Sequence, residues 1–209
     1  MFVKPVEREA GVAKSSVSAW TRDFSLTERQ HERLRQANPI YNQQLRGQEG
    51  RRASARAVRL AAQEHGREAA RRGDPLHLLG CMLYWAEGTK SRNCLVLVNT
   101  DVEMHRTFLR FLRDCCDVAD ERITMRVNCH LNNGLSLDEI ETWWLAQLEL
   151  PTTSLRTATV NRPSSASRWR RNVYVYGTAA VRVDSTFLVQ SIYGAIQEYG
   201  GFERPEWLD

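Results

Sequence analysis

Leu76-His-Leu-Leu-Gly-Cys-Met-Leu-Tyr-Trp-Ala-Glu-Gly-Thr-Lys90 is the stretch on which the reading of the fold turns. It follows Gly73-Asp74-Pro75, a breaker cluster that opens the main domain. Its apolar residues, with small ones at Gly80 and Ala86, read as a helix that stops at Glu87-Gly88. Beyond it, Cys94 to Asn99 reads as a buried strand. Glu103 to Cys116 reads as a helix with the apolar stripe Met104, Phe108, Phe111 and Cys115, and Ile123 to Cys129 alternates like a strand. Leu137 to Leu148 is expected as a helix burying Ile140, Trp144 and Leu148. Strands come next near Leu155 to Val160 and Gly177 to Val183, then a last helix from Ser185 to Tyr199. With a further strand between Trp85 and Lys90, the order becomes α-β-β-α-β and then α-β-β-α. That is an α+β domain, 75–209, built as a duplicated αββα unit.

Upstream, 25–74 is polar and reads as a basic helical arm. One helix opens at Leu26-Thr-Glu, Asn38-Pro39 breaks it, and a second runs from Arg51 to Arg72. On the second, Arg52, Arg56, Arg59, Gln63, Arg67 and Arg71 recur at three- and four-residue steps, with Ala55, Val58, Ala62 and Ala69 on another face. Such a ridge suits a phosphate backbone; it equally suits a solvated tether between two modules.

The first 24 residues read as helix, tight turn, helix: a start at Pro5, a break at Gly11, and a second helix from Ala13 to Arg22. Val12, Val17 and Trp20 are expected to pack, leaving Lys14, Ser15, Ser16, Ser18 and Arg22 to reach base edges and phosphates. Gly-Val-Ala-Lys-Ser-Ser-Val-Ser-Ala-Trp-Thr-Arg-Asp, residues 11–23, resembles the recognition half of bacterial helix-turn-helix domains, here as a partial module.

The segment 79–88 resembles the signature helix of the LAGLIDADG homing-endonuclease superfamily, which ends in an acid and then glycine. Residues 95–101 and the helix behind them are similar to the region just after that signature. A longer resemblance, carried by 80–90, Asn99-Thr-Asp101, 108–113 and 192–209, is to a family of actinobacterial helix-turn-helix proteins that implies no reaction. The superfamily's logic pairs two helix-terminal acids around divalent metal. The resemblance therefore implies Glu87 as the catalytic and metal-binding acid, with Mg2+ and with a partner in Glu87 of a second subunit or in Glu149. The plainer role for Glu87 is a helix-terminal carboxylate paired with Lys90 or an arginine.

Composition bounds the rest. Of 209 residues, 42% are hydrophobic and 26% charged, and no window is apolar enough for a membrane span. The N-terminal ten residues carry Lys4, Glu7, Arg8 and Glu9, unlike a secretory signal, so a soluble cytoplasmic protein is expected. Five cysteines, an odd number, read as reduced thiols, and their spacing does not make a structural zinc site. The net charge is +4, but 46–72 holds eight arginines against three acids, and 150–183 holds six arginines and no acid. Within the latter, Asn161-Arg-Pro-Ser-Ser-Ala-Ser-Arg-Trp-Arg-Arg171 reads as a loop whose Arg168, Arg170 and Arg171 hold phosphates beside Trp169. The five histidines form no triad pattern and the twelve glycines no phosphate loop. The expectation is a double-stranded DNA-binding protein, a sequence-specific regulator without a cofactor, working as a monomer or homodimer. Two alternatives stay open: a magnesium-dependent endonuclease acting as a dimer through Glu87, and a non-catalytic protein-interaction scaffold.

Overall fold

A computed structural model describes residues 9, 11–20, 25–36, 39–131, 134–161 and 174–208, which fall into two units, 1–55 and 56–209. In the first unit Glu9 is helical and Gly11 turns the chain with φ +64°, a left-handed conformation that glycine adopts without strain. Helix α1 (Lys14–Trp20) and helix α2 (Glu28–Gln36) come next. The side chain of Gln30 accepts from the backbone N–H of Thr27 at 2.9 Å and from its hydroxyl at 3.0 Å, satisfying a donor at the start of α2. No described side chain of this unit is buried. Trp20, expected to pack, is instead 62% exposed.

Helix α3 (Pro39–Arg71) begins in the first unit and ends in the second. Helix α2 ends before the expected break at Asn38-Pro39, but the second helix starts at Pro39 and not at Arg51, proline standing at a first position where its missing N–H costs nothing.

The second unit continues with α4 (Pro75–Glu87), β1 (Cys94–Asn99), α5 (Val102–Asp114), β2 (Ile123–Cys129) and α6 (Leu137–Leu148). Then come β3 (Thr159–Val160), β4 (Thr178–Asp184) and α7 (Thr186–Gly200). Side-chain caps fix the helix starts: Asp74 accepts from His77 N–H at 2.9 Å, Asp101 from Glu103 N–H at 2.8 Å, and Ser136 and Glu139 form a reciprocal box on α6. Gly80 is required by close packing, since a β-carbon there would collide with the Phe111 ring.

The strands form one mixed sheet of order β1-β4-β2-β3, antiparallel except for the parallel β2–β3 pair, which makes the fold α+β. Registers Leu95↔Val183, Leu97↔Val181, Ile123↔Val183 and Met125↔Val181 put the apolar residues of three strands on one face. These pack with Phe108, Phe111, Trp144, Ile192 and Tyr193 into the core. The halves do not stand as two side-by-side copies: β4, from the second, lies between β1 and β2, from the first. The strand expected between Trp85 and Lys90 reduces to a bridge between Gly88 and Leu97, with Thr89 N–H donating to the Val96 carbonyl at 2.9 Å. Likewise Leu155 only bridges to Met125. No described helix is long and apolar enough to cross a membrane.

Between Gln63 and Arg71, α3 lies against α7. Ala62, Gln63, Gly66, Ala69 and Ala70 are buried, whereas Val58 is 61% exposed. A β-carbon on Gly66 would collide with the Ser191 carbonyl, and one on Gly194 with that of Gln63, so the two helices meet backbone to backbone. Buried amides complete the contact: Gln63 donates to Gln190 at 2.8 Å, Gln197 to Gln63 at 3.1 Å, and Gln190 to the Trp207 carbonyl at 3.1 Å.

Candidate nucleic-acid interface

Strand alternation decides the site. In Thr124-Met125-Arg126-Val127-Asn128 and Ala180-Val181-Arg182-Val183-Asp184, each apolar neighbour of an arginine points into the core, which sends the arginine to the opposite face. The register sets Arg182 opposite both Val96 and Thr124, and Arg126 opposite Ala180. Ala180 is too short to fill the space between its neighbours. The result is a hollow of about 330 Å³ lined by Val96, Thr124, Arg126, Arg156, Ala180, Arg182 and Asp184.

The three arginines are held differently. Arg182 donates from Nε and Nη2 to Asp184 Oδ1 at 2.9 and 2.6 Å, and this bond raises its pKa above the usual arginine value. Arg156 has its backbone N–H on the Met125 carbonyl at 2.8 Å and its Nη1 on the Thr153 and Leu155 carbonyls at 2.9 and 3.0 Å, which fixes the guanidinium without neutralising it. Arg126 is exposed and makes no ion pair among the described residues. Among the described residues that line the hollow, three arginines face one carboxylate. At the end of the sheet Val160, Tyr174 and Val175 are exposed on either side of 162–173, and Tyr176 stacks on Trp143 with ring centroids 3.8 Å apart.

Of the residues expected from sequence to touch nucleic acid, Ser15 is exposed and Ser16 half-buried on α1. Arg22, Arg168, Arg170, Arg171 and Trp169 lie outside the described residues, as do the side chains of Lys14 and Ser18. Arg52 and Arg56 are exposed on α3. Arg59, Arg67 and Arg71 hold internal partners: Arg59 donates to the Leu208 carbonyl at 2.6 Å, Arg67 pairs with Glu203 at 2.8 Å, and Arg71 pairs with Glu198 at 2.9 Å and Glu64 at 3.1 Å. Hydrogen bonding to Glu198 raises the pKa of Arg71, and the same bond lowers that of Glu198. Sequence periodicity placed these side chains on one face correctly but could not say that the face is a docked one.

Glu87 is the exposed last residue of α4. Lys90 makes no salt bridge with it, although the Glu87 charge acts on Lys90: its Nζ donates to the carbonyls of Trp85 at 2.7 Å and Gly88 at 2.8 Å, closing the helix end. Glu149 is the exposed C-cap of α6 with φ +53°. Neither acid joins a cluster of three or more His, Cys, Asp or Glu among the described residues. The five cysteines are free thiols, as expected. Arg126, Arg156 and Arg182 were not singled out from the sequence; the signal for two of them is an arginine alternating with buried valines. Comparison with protein-family models, with curated proteins and with solved structures finds no match for this chain.

Proposed function

We propose that this protein binds double-stranded DNA on the open face of its sheet and acts as a sequence-specific regulator without cleaving it. The observation that carries the reading is the hollow ringed by Arg126, Arg156 and Arg182 on a sheet face opposite the core. Three strands at about 4.8 Å spacing make a surface about 10 Å wide, which suits a major groove about 12 Å across. Among the described residues no aromatic side chain lines the hollow, and charge without a stacking ring suits duplex better than single strands. On this reading α1, with Ser15 and Ser16, is a separate DNA contact, and α4 with its terminal Glu87-Gly88 belongs to a LAGLIDADG-like saddle put to binding. The exposed Leu78, Leu79 and Trp85 of α4 suit a homodimer contact.

The test is binding of purified protein to random duplex DNA across a salt series with magnesium present and the strands checked for breaks. Salt-sensitive binding to intact duplex supports the regulator. Magnesium-dependent breaks that vanish in Glu87→Gln would replace it with the endonuclease, and absence of binding at low salt would leave the interaction scaffold.

A further inference from the structure

We propose that Arg182, braced by Asp184, is the residue that reads base sequence, and that it reads guanine in the major groove. This rests on the duplex-binding reading above and adds to it a division of labour among the three arginines. Arg182 and Asp184 are two apart on β4, so both side chains stand on the open face. Asp184 occupies one edge of the guanidinium, the Nε and Nη2 donors, at 2.9 and 2.6 Å. The other edge, formed by Nη1 and the second Nη2 hydrogen, has no acceptor among the described residues. A guanine offers O6 and N7 as two acceptors side by side, which that fork matches bidentately.

Charge separates Arg182 from its neighbours. A guanidinium already paired with a carboxylate exerts little net attraction on a phosphate, and Asp184 repels one outright. Among the described residues Arg126 has no ion-pair partner and Arg156 is anchored by carbonyls, so these two suit the backbone. The brace also removes rotamer freedom from Arg182 before DNA arrives, so less is lost on binding. Its place on β4, between β1 and β2, brings it to the middle of the face.

The experiment is selection of bound duplexes from a random library by the full chain and by Arg182→Lys, Asp184→Asn and Arg126→Ala, each also titrated with salt. Wild type is expected to enrich a guanine at one position with roughly ten- to hundredfold discrimination. Arg182→Lys keeps the charge and loses the fork, so that preference disappears while the salt dependence stays. Asp184→Asn weakens the preference and strengthens binding to unselected duplex. Arg126→Ala keeps the guanine and reduces the salt dependence. Duplex binding with no enriched guanine, or a guanine retained by Arg182→Lys, overturns the inference and leaves the DNA-binding reading standing. No duplex binding by wild type overturns both.

Discussion

Gly66 of α3 rests on the backbone of Ser191 in α7, with no room for a β-carbon between them. The contact tests the docking of α3 through a conflict between two local effects. Gly66→Ala gains about 1 kcal/mol of helix propensity, whereas forcing a methyl group into a closed contact costs about 1–3 kcal/mol, and more where the obstacle is a main-chain carbonyl. The clash wins, and Gly66→Ala should melt several degrees below wild type at about 2–4 °C per kcal/mol for a chain of this size. An alanine variant that melts higher would mean that α3 does not dock this way.

Arg67 and Arg126 should separate stability from DNA binding. Arg67 is 12% exposed and pairs with Glu203, so its removal leaves a docked surface unpartnered and lowers the melting temperature with no change in affinity for duplex. Arg126 is exposed on the open sheet face. Arg126→Ala should leave melting unchanged, weaken binding alike for every sequence, and reduce the slope of log affinity against log salt by about 0.9. Paired melting and salt titrations of both variants check this. The reverse pattern would move the interface from the sheet to the α3 ridge.

The contrast shows where sequence reading succeeds here. Cys94–Asn99 is legible as an apolar run, and Ile123–Cys129 and Leu137–Leu148 from apolar residues that recur on one buried face. The ridge Arg59, Gln63, Arg67 was legible as a face but not as a docked one, since Gly66 and Gly194 reveal their purpose only when placed against each other. Sheet order was hidden for a like reason: nothing local in Thr178–Asp184 says that it will enter between β1 and β2. That insertion brings Arg126 and Arg182 into one hollow, so the site arises from long-range pairing and not from a motif.

The outward face of α4 yields a prediction about assembly. Leu78 is 42% exposed, Leu79 45% and Trp85 37%, all on a helix whose other face holds the buried Gly80, Cys81 and Tyr84. Full shelter of a leucine contributes about 1.5–3 kcal/mol, and these are already half-sheltered, so two copies gain only modestly over an association cost of about 4 kcal/mol or more. The homodimer should therefore be weak, visible by sedimentation at high micromolar concentration. Leu79→Glu should be monomeric there, and an unchanged sedimentation coefficient would remove α4 from the contact.

His105 sets a pH limit on stability. It is fully buried, donates from Nε2 to the Asn99 carbonyl at 3.2 Å, and meets Trp144 edge-on at 5.6 Å. Burial holds its pKa below the ordinary 6.5, and burial does the same to His77. The unfolded chain therefore takes up protons more readily than the folded one. Stability is complete above pH 6.5 and is lost as the pH falls through that value toward the lowered folded pKa. The carboxylates with lowered pKa, Asp74, Glu139 and Glu198, start from 3.8 and 4.5 and act only in stronger acid. Glu141, raised above 4.5 by burial, binds its proton more readily when folded and so opposes the loss, which leaves a fall just below pH 6.5 to the histidines. Melting temperature should drop there, and His105→Gln, which keeps a donor for Asn99 but cannot take up a proton, should flatten the drop. An equal drop in wild type and His105→Gln would assign it to His77 or to another group.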